Sequence, residues 1–285
     1  MYLSAYRICA VTFQFETDFA VKELPAYAQY RVDGGACDVC VTLQAVKSAP
    51  NFDGKLVYSE GFDVFDCCDR YCRQISSYEG KPSAWAMMPK EGKPHHIECY
   101  YLEDYKSELC YDRQIFALIG LSFVLSRFDA LILHASYIKY MGESTLFSAP
   151  PQTGKSTQAE LWRKHRSADI INGDRVALRL YDGRFYAYGL PFSGTSEHCK
   201  NDLAPLGVIV MLEQSPVDMI ELLPPAIAYK KLFCETAMLP FDRTYVANAA
   251  EILVRLIGAV PVYLLRCTPT VKAVETLAKR LEVDA

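Results

Sequence analysis

The chain has 285 residues, of which 51% are hydrophobic and 22% are charged, and its formal net charge is −4. This composition is that of a globular protein with a substantial core, which excludes a disordered chain. At roughly 150 residues per domain, the length indicates one large or two modest domains. A weakly acidic chain lacks the overall positive charge that draws proteins to nucleic acid or anionic membranes, so we expect neither partner.

The same sequence offers no segment for membrane insertion or export. No apolar run approaches the roughly 18 residues needed to span a bilayer. The longest candidate, residues 115–125, is soon followed by Arg127. Residues 1–15 lack the basic cluster and apolar run of a secretory signal. We therefore expect a cytoplasmic protein.

The chain contains 11 cysteines, an odd number that argues against a disulfide framework when no export signal is present. Cys37 and Cys40 form a C-x-x-C pair, and a second possible ligand set follows: Cys68, Cys72, His95, His96 and Cys99. Zinc needs four converging ligands, but residues 37–43 have a strand pattern, in which positions three apart face opposite sides. We expect buried thiols that act as small hydrophobic residues rather than a metal site.

The first part of the chain has the pattern of a β-rich region. Residues 5–15 alternate, and short apolar or aromatic runs follow, separated by turns rich in Gly, Asn and Pro. These runs are residues 39–43, 55–58, 63–65, 85–88 and 96–101. The pattern predicts a small antiparallel sheet, and we place the domain boundary so that residues 1–105 form a β-rich N-terminal region and residues 106–285 a second domain.

The second part alternates strands and helices, which predicts an α/β core with a mixed sheet. Helices are expected at residues 112–127, 157–165, 224–235, 242–258 and 269–281. Strands are expected at residues 131–134, 136–140, 144–148, 169–171, 175–180, 206–212 and 261–266. Hairpin turns are expected at residues 141–143 and at Asp182-Gly183.

Residues 144–157, Ser-Thr-Leu-Phe-Ser-Ala-Pro-Pro-Gln-Thr-Gly-Lys-Ser-Thr, approach the phosphate-binding pattern G-x-x-x-x-G-K-[ST] between a predicted strand and a predicted helix. Such a loop turns backbone N–H groups toward a phosphate at a helix N-terminus. Pro150 and Pro151 have no N–H, so the phosphate shell begins at Gln152. The pattern predicts binding of ATP and Mg²⁺ through Ala149, Gln152, Thr153, Gly154, Lys155, Ser156 and Thr157.

Within this loop Lys155 supplies a charge for the β and γ phosphates, and Ser156 offers a hydroxyl to Mg²⁺. The metal also needs a carboxylate at a nearby strand end. Asp174 follows the short apolar strand of residues 169–171, and one helix separates it from the loop. We therefore expect Ser156 and Asp174 to be metal ligands. His134 ends the strand that precedes the hairpin.

The order of these segments resembles the HPr kinase/phosphorylase type of P-loop kinase, a group related in fold to phosphoenolpyruvate carboxykinase. The resemblance covers about residues 130–267: His134-Ala-Ser, the loop, Ile-Ile-Asn-Gly-Asp-Arg-Val, and Tyr188-Gly-Leu-Pro-Phe-Ser-Gly-Thr195. It implies a carboxykinase-like core after a β-rich region similar to those of bacterial relatives. It also implies catalytic roles for His134, Lys155 and Asp174, with His134 near the metal and the transferring phosphate.

The chain departs from this family at three places. The family has two adjacent aspartates after the strand, one of which is thought to act as the base, and the first is Gly173 here. Phe192 replaces the Trp of the family's G-x-P-W-x-G segment. Polar groups that could reach a substrate follow it: Thr195, Ser196, Glu197 and His198. The C-terminal HPr-binding signature is not evident, so HPr itself is not the expected acceptor.

Three functions remain open from the sequence. The first is an ATP-dependent kinase that phosphorylates a hydroxyl acceptor, either the serine of a peptide or protein or a small metabolite. The second, which Gly173 favours, is a nucleotide-binding regulatory or partner protein without kinase activity. The third is a carboxykinase-like enzyme acting on an organic acid, which would need several arginines in its cleft. A homo-oligomer is compatible with each of them.

Overall fold

The computed structural model describes residues 1–194 and 196–284, and these divide into two compact units. The first unit comprises Met1–Phe128 and Leu239–Tyr245, and the second comprises Asp129–Met238 together with the chain from Val246 onward. Both units contain a mixed sheet. No helix among the described residues is long and apolar enough to cross a membrane.

The first unit is built on a nine-stranded sheet. Its strands are β1 (Tyr2–Ile8), β2 (Val11–Thr17), β3 (Arg31–Val32), β4 (Val39–Val46), β5 (Lys55–Ser59), β6 (Asp63–Cys67), β7 (Arg70–Ser76), β8 (Pro82–Pro89) and β9 (His96–Leu102). They lie in the order β3-β1-β2-β4-β9-β8-β7-β6-β5. Strand β4 runs parallel to both β2 and β9, so the sheet is mixed and not antiparallel throughout as the sequence predicted.

The segment predicted as one alternating strand, residues 5–15, is a hairpin. Cys9 and Ala10 adopt φ angles of 53° and 56°, and Ile8 pairs with Val11 across the turn. A two-residue turn with positive φ at both positions matches the twist of a hairpin, but it normally uses Asn or Gly. Because Cys and Ala give no such signal, the sequence did not reveal the turn.

Four helices complete the first unit: α1 (Pro25–Ala28), α2 (Lys106–Leu109), α3 (Asp112–Ile119) and α4 (Leu121–Ser126). The sequence predicted one helix over residues 112–127, but Gly120, at φ 65°, ends α3 and begins α4. The sequence placed α2, α3 and α4 in the second domain, which was predicted to begin at residue 106, whereas the division into compact units falls after Phe128. Phe116 of α3 instead packs its ring against Phe13 and Phe15 of the first sheet, at centroid distances of 5.3 and 4.9 Å.

The cysteines of this unit are free thiols, most of them buried. Burial raises the pKa of the Cys72 thiol to about 12, with a smaller contribution from Cys67, whereas a metal requires the thiolate. Among the described residues, no three potential ligands of the His, Cys, Asp and Glu types come together. That the thiols serve packing alone stays a prediction.

Elemental analysis of the purified protein checks this prediction. We expect zinc and iron well below one atom per chain, because a structural site would bind its metal tightly at neutral pH. A content of about one metal per chain that is lost in Cys37→Ser or Cys72→Ser would show that these cysteines are ligands.

The second unit is built on an eight-stranded sheet. Its strands are β10 (Ala130–Tyr140), β11 (Glu143–Ser148), β12 (Asp169–Asn172), β13 (Arg175–Tyr181), β14 (Arg184–Gly189), β15 (Leu203–Gln214), β16 (Met219–Leu222) and β17 (Val262–Cys267). Its helices are α5 (Lys155–Arg166), α6 (Pro225–Glu235), α7 (Arg243–Ala259), of which the first residues belong to the first unit, and α8 (Val271–Asp284). The strands predicted at residues 131–134 and 136–140 are one continuous strand, β10, and the other elements predicted for residues 144–281 are present with shifted ends.

Strand β10 organises this sheet because it pairs with three neighbours. Its C-terminal half lies between β11 and β12, both antiparallel to it, and its N-terminal half pairs with β13. Strands β11 and β12 therefore run in the same direction, with β10 between them and helix α5 connecting them. This is the strand–helix–strand arrangement that the sequence predicted, and it brings the ends of β11 and β12 to the same edge of the sheet.

Helix α5 is held on the sheet by Trp162, whose side chain is fully buried. Its ring packs edge-on against Tyr140 at 5.2 Å and lies 6.4 Å from Phe147 of β11. The last turn carries Arg163, Lys164, His165 and Arg166, and positive charge there complements the negative end of the helix dipole. The start of α5 is thus fixed directly after the end of β11.

Candidate functional site

The loop of residues 149–154 joins β11 to α5. Gly154 caps the helix at φ 115°, and Gln152 has φ 63°. A non-glycine residue in the left-handed region costs about 1–2 kcal/mol, and such strain often marks a functional loop. Ala149 is fully buried and is not among the described residues with positive φ, so a side chain is tolerated at the position where the phosphate-loop pattern has its first Gly.

Lys155 begins α5, and its ammonium group lies inside the loop. The Nζ atom donates to the carbonyl oxygens of Ala149 at 2.7 Å and Pro150 at 3.2 Å. Burial lowers the pKa of Lys155, while the carboxylates of Glu235 and Asp174 act in the opposite direction. The amine is therefore positioned at the loop before any ligand arrives, and a phosphate would replace neutral carbonyl partners with charged ones.

A cavity of about 530 Å³ opens on one side of the loop. His134 from β10, Lys155 and Ser156 from α5, and Asp174 after β12 all line it. The four residues that the sequence predicts to be catalytic or metal-binding, with Asp174 in both roles, thus border one cavity, although they come from three separate elements. Their proposed roles remain predictions.

His134 lies between two carboxylates in this cavity. Its Nε2 is 3.4 Å from Oδ1 of Asp174, and its Nδ1 is 3.1 Å from Oε2 of Glu235. The Glu235 side chain is only 9% exposed, so its contact with His134 is largely shielded from water. A carboxylate on one ring nitrogen orients a histidine and selects its tautomer.

Glu235 was missed by the sequence analysis because nothing local marks it. It is the last residue of α6 and lies 101 positions from His134. The chain after the helix is pinned to β10: the N–H of Ala237 donates to the carbonyl of Ile132 at 2.9 Å, and Thr236 forms an antiparallel bridge with Leu133. This pairing brings Glu235 to His134.

Asn172 fixes the turn that presents Asp174. Its side chain is fully buried, and its Oδ1 accepts from the backbone N–H of Asp174 at 2.9 Å and of Arg175 at 3.0 Å. Its Nδ2 donates to the carbonyls of Leu190 and Phe192, both at 3.0 Å. One amide therefore joins the strand end to the segment that resembles the family's G-x-P-W-x-G motif.

The space beside Asp174 explains Gly173. A Cβ atom added at Gly173 would lie 2.0 Å from Oγ and 2.3 Å from Cβ of Ser196. The Ser196 side chain therefore occupies the space in which a side chain at position 173 would begin.

We expect Gly173→Asp to destabilise the protein by about 1–3 kcal/mol, the usual cost of forcing extra atoms into a packed site. Gly173→Asp combined with Ser196→Gly should recover most of the loss, because the conflicting side chain is gone. Urea unfolding measures both effects, and Gly35→Asp serves as the matched control because nothing lies within 4 Å of a Cβ there. An unchanged midpoint in Gly173→Asp would contradict this packing account.

The remaining wall of the cavity is polar. Ser193, Ser196, Glu197 and His198 contribute to it, whereas Thr195 lies outside the described residues. His198 Nε2 lies 2.9 Å from Oε1 of Glu160 on α5. Burial raises the pKa of Glu160, but hydrogen bonds from Arg163 and His198 outweigh it, so the carboxyl pKa lies below its usual value. This wall is suited to holding a polar molecule.

A second cavity, also about 530 Å³, lies on the other side of the loop. Thr153, Gly154 and Thr157 line only this one, and Gln152 lines both cavities. Its far wall is formed by residues 214–216 at the end of β15 and residues 267–269 at the end of β17. No local pattern in the sequence predicts this cavity, because three separate segments of the chain line it.

Comparisons with known proteins give a limited result. No family model matches the chain, and no curated protein matches it. Among solved structures, the chain is similar to the Hpr(Ser) kinase/phosphatase from Coxiella burnetii, with 12% sequence identity and a TM-score of 0.34, over 54% of this chain and 99% of that one. The similarity is distant, and no residue of the site is assigned from it.

Proposed function

We propose that the chain is an ATP-dependent kinase that transfers the γ-phosphoryl group to a hydroxyl acceptor. One observation carries the proposal: Lys155 and Ser156, at the start of a helix after a phosphate-type loop, share a cavity with His134 and Asp174. Phosphoryl transfer needs positioning and charge stabilisation more than covalent chemistry, and these four residues offer both.

The donor atoms of the cavity fit Mg²⁺. Ser156 and Asp174 would hold the ion with a hydroxyl and a carboxylate, and Mg²⁺ commonly takes one or two protein oxygens and completes its shell with phosphates and water. Bound there, the ion would neutralise charge on the β and γ phosphates.

The residues of the chain have separate parts in the proposed transfer. Lys155 stabilises the phosphate charge as the bond between the γ-phosphorus and its bridging oxygen breaks and ADP leaves. The acceptor oxygen forms the new bond to phosphorus and loses its proton to Nε2 of His134. Glu235, hydrogen-bonded to Nδ1, keeps the other nitrogen turned toward Asp174 and the cavity. This arrangement supplies a proton acceptor although residue 173 has no carboxylate.

The acceptor is proposed to be a serine of a peptide or protein, or a small hydroxylated metabolite. An organic-acid substrate, as in a carboxykinase, is not favoured, since no arginine is among the described residues that line the cavity. Arg184 pairs with Glu143 and Arg266 pairs with Glu221, whereas Nε of Arg175 lies 3.4 Å from Oδ2 of Asp174, so one arginine reaches the edge of the site.

The second candidate is a nucleotide-binding regulatory or partner protein without kinase activity. The packing of Ser196 against Gly173 favours it, because residue 173 has no carboxylate and little room for one. The family that the sequence resembles has two adjacent aspartates here, one of which is thought to act as the base. The two candidates differ in turnover and agree on ATP binding.

Incubation with γ-labelled ATP and Mg²⁺ separates them. Pools of serine-containing peptides and of hydroxylated metabolites are offered as acceptors. Kinase activity puts label on a hydroxyl group in one pool, and the transfer requires Mg²⁺. ATP binding without label transfer to any pool or to water would support the regulatory candidate and contradict the kinase.

A further inference from the structure

The cavity on the far side of the loop from His134 contains no charged residue among the described residues that line it. Its walls are formed by Gln158, Gln214, Pro216, Cys267, Thr268 and Pro269, together with the loop. Burial raises the pKa of the Cys267 thiol to about 11, with Asp218 acting in the same direction, so the thiol is neutral at physiological pH. The cavity with His134, by contrast, is lined by Lys155, Glu160, Asp174 and Glu197.

The loop borders both cavities, because Gln152 lines each of them. The charged cavity holds the groups suited to the γ-phosphate and the metal. With those groups in the charged cavity, the uncharged cavity, which Thr153 and Thr157 line, is the space beside the loop that is left for the nucleoside. A purine base is flat and uncharged, and pockets for such groups are concave and mostly apolar with a few placed polar groups.

Gln158 is the placed polar group in this cavity. Its backbone N–H donates to the carbonyl oxygen of Gly154, the residue that caps α5, and the residue is only 2% exposed. Its side-chain Nε2 contacts Cys267 Sγ at 3.3 Å. Its Oε1 is buried and has no hydrogen-bond partner among the described residues. Buried carboxamide oxygens nearly always have a partner, so an orphaned one beside a cavity points to a ligand that brings a donor.

We propose that this cavity is the base-binding subsite and that Gln158 selects adenine over guanine. The inference rests on the proposed nucleotide binding and deepens it. Adenine carries an amino group at C6, where guanine carries a carbonyl oxygen. Oε1 of Gln158 accepts a hydrogen bond from the 6-amino group, whereas the oxygen of guanine would face it as a second acceptor. A site built to hydrogen-bond one group discriminates strongly against a ligand that lacks it.

The cavity walls are held in place independently of the ligand. Asp218 accepts hydrogen bonds from the backbone N–H of Thr268 at 2.8 Å and from its hydroxyl at 3.2 Å. The N–H of Ser215 donates to the carbonyl of Cys267 at 3.1 Å, which joins the two far segments. Gln214 Nε2 donates to the carbonyl of Gln152 at 3.3 Å, which ties the far wall to the loop.

The test is a binding cycle on the whole protein with three ligands: ATP, purine riboside 5′-triphosphate, which lacks the 6-amino group, and tripolyphosphate, which has no base. For wild type we expect ATP to bind about ten-fold more tightly than the 6-amino-free analogue and than GTP. In Gln158→Met, which keeps the length and removes the carboxamide, the ATP and analogue affinities should become equal. Tripolyphosphate should bind both proteins equally.

The outcomes distinguish failure of the base subsite from failure of nucleotide binding itself. If tripolyphosphate binds but wild type does not distinguish ATP from its 6-amino-free analogue, or prefers GTP, the base subsite is wrong while the phosphate loop stands. If no ligand binds, nucleotide binding has failed and the base subsite fails with it. A thermal melt of ligand-free Gln158→Met checks folding. We expect no loss of stability, because the substitution removes the whole carboxamide, including the buried Oε1 that has no hydrogen-bond partner among the described residues. The wild-type comparison decides the matter even if this variant does not fold.

Discussion

Asp174→Asn is expected to lower Mg²⁺-dependent turnover at least about a hundred-fold, the scale for a loss of a few kcal/mol in the transition state. The backbone that presents this carboxylate is held independently of its charge: its N–H donates to Asn172 Oδ1 at 2.9 Å, and its carbonyl accepts from the Ala135 N–H at 2.9 Å. Asparagine keeps that shape and removes only the charge. Nucleotide binding without metal should survive, because Lys155 and the loop amides remain.

The same strand end offers no second carboxylate to rescue this variant, and the other acids that line the cavity are Glu160, which pairs with His198, and Glu197. Residue 173 has no side chain, and Glu235 contacts the opposite ring nitrogen of His134 from that which faces Asp174. Turnover is measured as a function of Mg²⁺ concentration in wild type and variant. Asp182→Asn, at an exposed hairpin turn with φ 49°, is the matched control and should behave as wild type. Equal turnover in Asp174→Asn would show that the metal is held elsewhere and that Asp174 is a turn residue.

Lys155→Ala is expected to weaken binding of ATP with Mg²⁺ by about ten- to a hundred-fold, because a charge-assisted phosphate contact is worth about 1.5–3 kcal/mol. The variant also loses the contacts of Nζ with the Ala149 and Pro150 carbonyls, which hold the loop in shape. The rise in melting temperature on adding excess ATP reports binding, since a ligand at a hundred times its Kd stabilises the fold by about 2.7 kcal/mol.

Lys164→Ala is the matched control for this experiment. Lys164 lies on the same helix, but its side chain is exposed in the last turn. Its removal should leave the ATP-dependent shift unchanged. If the two lysine variants respond to ATP equally, Lys155 contributes no more to nucleotide binding than a surface charge does.

The sequence predicted those parts of the structure whose conformation depends on residues close together in the chain. The loop, the helix after it and the hairpin at Asp182-Gly183 depend on neighbouring residues, and turn chemistry marks their ends. Gly154 and Gly120 both have positive φ. The first stands in a recognisable motif, whereas the second interrupts an apolar helical pattern, where a glycine gives only a weak signal.

The features that could not be predicted from the sequence depend on contacts between residues far apart in the chain. The hydrogen bond of Glu235 to His134 and the contact of Gln158 with Cys267 each join residues more than 100 positions apart. Helix α3 follows the boundary that the sequence predicted at residue 106, yet its Phe116 packs against Phe13 of the first sheet. Ser196 over Gly173 is a similar case, because no sequence pattern predicts which side chain fills the space above a glycine.

Calorimetric titration of the wild-type protein with ATP and Mg²⁺, beside Lys155→Ala and Lys164→Ala, tests the central claim most directly. We predict one nucleotide per chain for wild type and for Lys164→Ala, with an affinity at least about ten-fold lower in Lys155→Ala. An absence of binding to the wild type, or equal affinity in all three proteins, would contradict the assignment of residues 149–157 as a nucleotide-binding loop.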